Sequence, residues 1–103
     1  EILGVPQDVF KDFGVVSEEC AKAMAEGLLK KTKSDIVICT TGIAGPTGGT
    51  KEKPVGLCYV SCGYKNSVYV KKLLLNSNIE RKKMKKLFAE NAIKFAYEIL
   101  TSN

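Results

Sequence analysis

At 103 residues, 45% of them apolar and 26% charged, the chain fits one globular domain that buries about 65% of its unfolded surface, which excludes a second core, disorder and low complexity. A net charge of +5 points to an anionic partner. The absence of any histidine removes Ser-His-Asp and Cys-His nucleophiles and most zinc and iron catalytic sites, so Ser, Thr, Lys, Tyr and carboxylates are left as reactive groups.

"EILGVPQDVFKDFG" reads as a short opening helix, with Pro6 suited to a first helical position and Gly14 to a stop. In "VSEECAKAMAEGLLKK", Ser17 is an N-cap, Glu18 and Glu19 fill the first turn, and Ala21, Met24, Ala25 and Leu28 recur at helical spacing. "DIVICTT" is a short β-branched run without alternation, as in a strand covered on both faces, and is expected at the centre of the sheet. "VGLCYVSCGY" and "SVYVKKLLL", separated by Lys65 and Asn66, predict an antiparallel hairpin; Asn66 tolerates positive φ and Lys65 does not favour it. From Asn78, the expected cap, Met84, Leu87, Phe88, Ala92, Phe95, Ala96 and Ile99 trace one face of a long helix. Lys86, Glu90, Lys94 and Glu98 follow at i,i+4 spacing on the opposite face.

Four cysteines, Cys20, Cys39, Cys58 and Cys62, each fall in an apolar stretch and read as reduced core thiols, with no zinc site. Their spacing and the missing histidines give no metal centre. No apolar run reaches the roughly 18 residues of a membrane span, and no leader pattern opens the chain, so a soluble cytoplasmic protein without membrane contact is expected. The lysines of "ERKKMKKLF" read first as a solvated face; a nucleic-acid surface is the weaker reading, since no aromatic residue interleaves them.

"TTGIAGPTGGTKEKPVG", residues 40–56, sets five glycines and two prolines between two strands. A loop leaving the C-terminal end of a strand lies where open α/β sheets hold ligands, and side-chain-free amides approach an anion or oxyanion closely. Neither standard phosphate fingerprint is present. Composition alone leaves ligand loop and plain connection equally open.

The same stretch, followed by "LCYVSC", resembles the signature of the CinA C-terminal domain family, the PncC-type nicotinamide-nucleotide amidases, whose usual form is S/T-G-I-A-G-P-x-G-G-[ST]-x-x-K-P-V-G-x-V. The upstream "LGVPQDVFKDFGVVSEECAKAMAEG" and the later "ERKKMKKLFAENA" resemble further family segments, so the likeness spans essentially residues 1–103 as a single domain. The resemblance implies a three-layer α/β/α sandwich with a mixed sheet, seen here as its C-terminal portion. Family members carry an N-terminal E-S-x-T-[GA]-G segment with the nucleophilic serine and a Y-S-x-x-x-K segment with its helpers, and neither occurs in this chain. The expectation is an N-terminally truncated domain, inactive alone, from an amidase that hydrolyses the carboxamide of nicotinamide mononucleotide without a cofactor. The resemblance gives Thr41 a catalytic position and Gly42, Ile43, Ala44, Gly45, Gly48, Gly49 and Arg81 a place against the nucleotide. Where the family has Gly-Asp-Arg or Gly-Ser-Arg before its last helix, this chain has "NIER". The plain alternatives are a Thr41 hydroxyl that satisfies the strand end and an Arg81 on the surface of a first helical turn. A non-catalytic nucleotide- or protein-binding module of a competence-associated protein is the alternative function. Uncovered strand edges imply a homo-oligomer or a covering segment.

Overall fold

The computed structural model describes residues 16–46 and 48–102. The opening helix expected between Pro6 and Gly14 lies outside the described residues, as does Thr47.

Helix α1 (Glu18–Thr32) starts where the sequence places it. Ser17 is extended, and its Oγ accepts the Cys20 N–H at 3.1 Å, which satisfies one of the amides a helix start leaves open. The helix stops at Lys33, left-handed at φ 54°, whose N–H returns to the Leu29 carbonyl. Strands β1 (Ile36–Gly42), β2 (Leu57–Tyr64) and β3 (Ser67–Leu74) follow, and helix α2 (Arg81–Ser102) closes the described chain.

The sheet order is β1-β2-β3 with antiparallel pairing throughout; Ile38 faces Cys62, and Cys62 in turn faces Tyr69. Side-chain alternation then separates two layers of core. On one face Ala25 of α1 packs with Val37 and Cys39, and the buried Ser61 hydroxyl donates to the Ala21 carbonyl at 2.7 Å. On the other, Met84, Phe88 and Ala92 of α2 pack with Cys58 and Val60, while Ala96 and Ile99 pack with Cys62. The result is an α/β sandwich of helix, sheet and helix.

Two expectations change. Among the described strands, all paired antiparallel, β2 is central and β1 is an edge. An unbroken β-branched run is read as doubly covered, but β1 alternates after all: Val37, Cys39 and Thr41 are buried whereas Ile38 is 40% exposed. The doubly buried strand is β2, where small Gly63, Ser61 and the cysteines hide the signal that larger aliphatics would give. Helix α2 also begins later than Asn78. Asn76 makes the turn instead, its Oδ1 accepting the Asn78 N–H at 2.8 Å and its carbonyl the Ile79 N–H.

The hairpin turn places both Lys65 (φ 50°) and Asn66 (φ 63°) in the left-handed region, as a two-residue type I′ turn requires. Lysine gains nothing there except an Nζ resting 5.3 Å from the Tyr64 ring centroid. Lys65→Asn is therefore expected to raise unfolding stability by about 0.5 kcal/mol. Urea denaturation measures it, and a loss of stability would show that the Tyr64 contact outweighs the backbone strain.

Candidate functional site

The glycine-rich segment is a shaped loop. At its base the Ile43 N–H donates to the Leu57 carbonyl (2.9 Å) and the Gly56 N–H to the Ile43 carbonyl (2.8 Å), so the two ends are clamped together beyond the last strand pair. At its tip the Thr50 N–H donates to the Lys53 carbonyl, and the Lys53 N–H donates to the Thr50 hydroxyl. Val55 fills the space between. A side chain at Gly45 or Gly49 would come within 2.6 Å of Val55 Cγ1 or 2.7 Å of its backbone nitrogen.

Gly45 is the pivot. It sits at φ 81°, open to glycine and strained for other residues, and this turns its carbonyl toward helix α2. There Arg81 Nη1 donates to it at 2.9 Å, a charge-assisted bond across 36 positions of sequence. Arg81 is the first residue of α2, so the loop and the helix start are fastened to one another.

Between this loop, β1 and α2 opens a cavity of about 700 Å³, within the size range of small-molecule sites. Arg81 and Lys85 supply its charge, Ile38, Phe88, Ala92 and Ile93 give apolar walls, and no carboxylate is among its described lining residues. Of the residues expected at a ligand, Gly42, Ile43, Ala44, Gly45, Gly48 and Arg81 all border this cavity. Gly49 does not; it packs against Val55. Thr41 does not either. It is 8% exposed and, by alternation from Val37 and Cys39, lies on the α1 side opposite Tyr59, while the neighbouring Thr40 borders the cavity. The two threonines thus meet different faces of the strand end.

Lys85, Thr40, Ile38 and Ile93 were not legible as site residues. Ile93 is 64% exposed and stands off the helix's core stripe, and a second apolar line beside the first was the available signal. Among the described residues no group of His, Cys, Asp or Glu could hold a metal ion, and no helix is long and apolar enough to cross a membrane.

Beneath the site Cys58 pairs with Gly42 across the β1–β2 ladder and packs on Phe88 and Ala44. Burial pushes its thiol from an ordinary value of 9.0 up to about 11, against a smaller lowering by a backbone hydrogen bond from Thr41. The folded state keeps this proton to higher pH than the unfolded chain does. Its contribution is complete below pH about 9 and is lost as pH rises toward about 11, amounting to about 1 kcal/mol near pH 10. Cys58→Ala is expected to flatten that part of the stability–pH profile in denaturant titrations; an unchanged slope would contradict a buried neutral thiol.

The chain matches the CinA C-terminal domain over residues 1–100. It belongs to the CinA C-terminal domain family. A CinA-like protein of Dictyoglomus turgidum is 46% identical over 79 residues, which is 77% of this chain but 19% of that protein, so the chain spans roughly a fifth of such curated relatives. Its fold superposes on a competence/damage inducible protein from Agrobacterium tumefaciens at TM-score 0.88 and 32% identity, covering 94% of this chain and 59% of that one. A CinA superfamily protein from Klebsiella pneumoniae has the same fold at TM-score 0.90 and 22% identity, covering 99% and 62% of the two chains. Residues 42–46 and 48–49, inside the matched span, thus belong to a loop whose shape is set by its own hydrogen bonds and by Arg81.

Proposed function

We propose that the intact protein is a nicotinamide-nucleotide amidase, in which this chain provides the ligand loop and the phosphate side of the site while the nucleophilic serine comes from outside it. The observation that carries this reading is the cavity itself: a cationic corner at Arg81, a border of loop glycines without side chains, and apolar walls that suit a flat ring. Serine attack on the carboxamide carbon makes a tetrahedral oxyanion, ammonia leaves, and water then releases the acid from the acyl-enzyme. The glycine loop lies beside the reacting carbon, and Arg81 holds the phosphate.

Thr41 enters from the α1 side of the strand end. Thr41→Val is therefore expected to leave KM for the full-length protein little changed, whereas Thr40→Val, on the cavity wall, is expected to act on KM. The primary test is ammonia release from nicotinamide mononucleotide by the full-length protein. Mononucleotide binding measured by calorimetry without any ammonia release would defeat the amidase reading and favour a binding module of a competence-associated protein.

A further inference from the structure

Glu80 caps helix α2, but cations fill the turn that follows it. The start of a helix favours acidic side chains, yet the first turn holds Arg81, Lys82 and Lys83 and no acid. Arg81 and Lys85 then stand one turn apart, an i,i+4 pair of like charge that is unfavourable by itself. Sequence choices that work against the local structure concentrate at functional sites.

The surroundings sort these cations into two sets. Lys82, Lys83 and Lys86 share a shallow surface with Glu80 and Glu90, where Lys86 Nζ reaches Glu90 at 3.9 Å. Arg81 and Lys85 border the cavity, where none of the described lining residues is a carboxylate. Arg81 is committed in part, because Nη1 is held by the Gly45 carbonyl. That bond fixes the plane of the guanidinium and leaves its other donors aimed from a set position. Lys85 makes no hydrogen bond or ion pair with any described residue, and its ammonium is a mobile point charge on the same wall.

We infer that Lys85 is a second phosphate-contacting residue of this cavity, and that the Arg81–Lys85 pair makes the site selective for a terminal phosphate monoester of a ribosyl compound over the corresponding diester. A monoester carries close to two negative charges at neutral pH, and a diester carries one. An oriented fork beside a point charge matches the first, while a diester leaves one cation without a counter-charge. The apolar walls then take the uncharged remainder of the ligand. This rests on the cavity being the ligand site of the proposed function, and not on the amide chemistry.

The test uses the full-length protein and ribose 5-phosphate, which has the phosphate and no amide, followed by titration calorimetry. Ribose and ribose 5-(methyl phosphate) are the controls. The wild type is expected to bind the monoester at least tenfold more tightly than the methyl diester, and to bind ribose undetectably. Lys85→Met is expected to weaken the monoester about tenfold or more and to leave the diester nearly unchanged, with Lys85→Arg restoring most of the loss. Lys85 is exposed, so thermal unfolding of the variants should match the wild type. Equal affinity for monoester and diester, or a Lys85→Met variant that binds as the wild type does, overturns the inference. Monoester selectivity without ammonia release would sink the amidase reading alone. Ammonia release with an unaltered KM in Lys85→Met would sink this inference alone.

Discussion

Arg81→Ala should lower kcat/KM of the full-length protein for nicotinamide mononucleotide by about 100-fold. Two losses combine. The bond from Nη1 to the Gly45 carbonyl, 2.9 Å long and part-buried, is charge-assisted and so contributes about 1.5–3 kcal/mol. The phosphate loses its oriented donors as well. Arg81→Lys keeps the charge but cannot hold the carbonyl and a phosphate together, so it should recover part of KM and little of kcat. Amide hydrogen exchange across Gly45 to Gly49 gives a readout independent of activity: it should quicken in both variants. An Arg81→Ala enzyme within threefold of wild type, with loop exchange unchanged, would show that the strut is ornamental and the phosphate is held elsewhere.

The largest expected change in stability comes from Gly56→Ala. Gly56 joins the loop to β2 at φ 100°, where a Cβ would be driven against the Leu75 carbonyl. Neither neighbour can retreat freely, because the Leu75 N–H donates to the Gly56 carbonyl at 2.9 Å and the Gly56 N–H donates to Ile43 at 2.8 Å. Alanine there should cost about 3 kcal/mol, combining left-handed strain with displacement of the β3 end. Urea denaturation reads it directly. A cost below about 1 kcal/mol would mean that the backbone at this junction relaxes and that the clamp is looser than its hydrogen bonds indicate.

Much of this architecture is legible in residue order, and where legibility fails the cause is physical. Ser17, the apolar spacing of α1 and the core stripe from Met84 to Ile99 announce themselves because capping and helical periodicity act locally. The hairpin was equally plain, although its turn accepts Lys65 at a φ that lysine does not prefer; the two long paired strands on either side impose it. Strand rank was not legible. Burial of β2 depends on which neighbours the sheet supplies, and a run such as "DIVICTT" carries no mark of edge or centre. The loop was recognised from its fixed pattern, whereas the cavity was not, since Ile38, Lys85 and Ile93 come from two elements 47 and more positions apart. Only packing reveals that they share a wall. The same holds for Thr40 and Thr41, adjacent in sequence and opposite in orientation.

The double clamp at the base of the glycine loop also governs how the chain would respond to being cut. The exposed tip around Lys51 is closed by a local turn, whereas the base is fastened through Ile43, Gly56 and Leu57 and, from the side, by Arg81. Exposed tips are the preferred places for a protease to nick. Cleavage after Lys51 would leave both severed arms hydrogen-bonded at the base, so the two pieces should travel together through gel filtration under native conditions and part only in denaturant. The loop, for all its glycine, is thus expected to hold the fold together even when the covalent chain at its tip is broken.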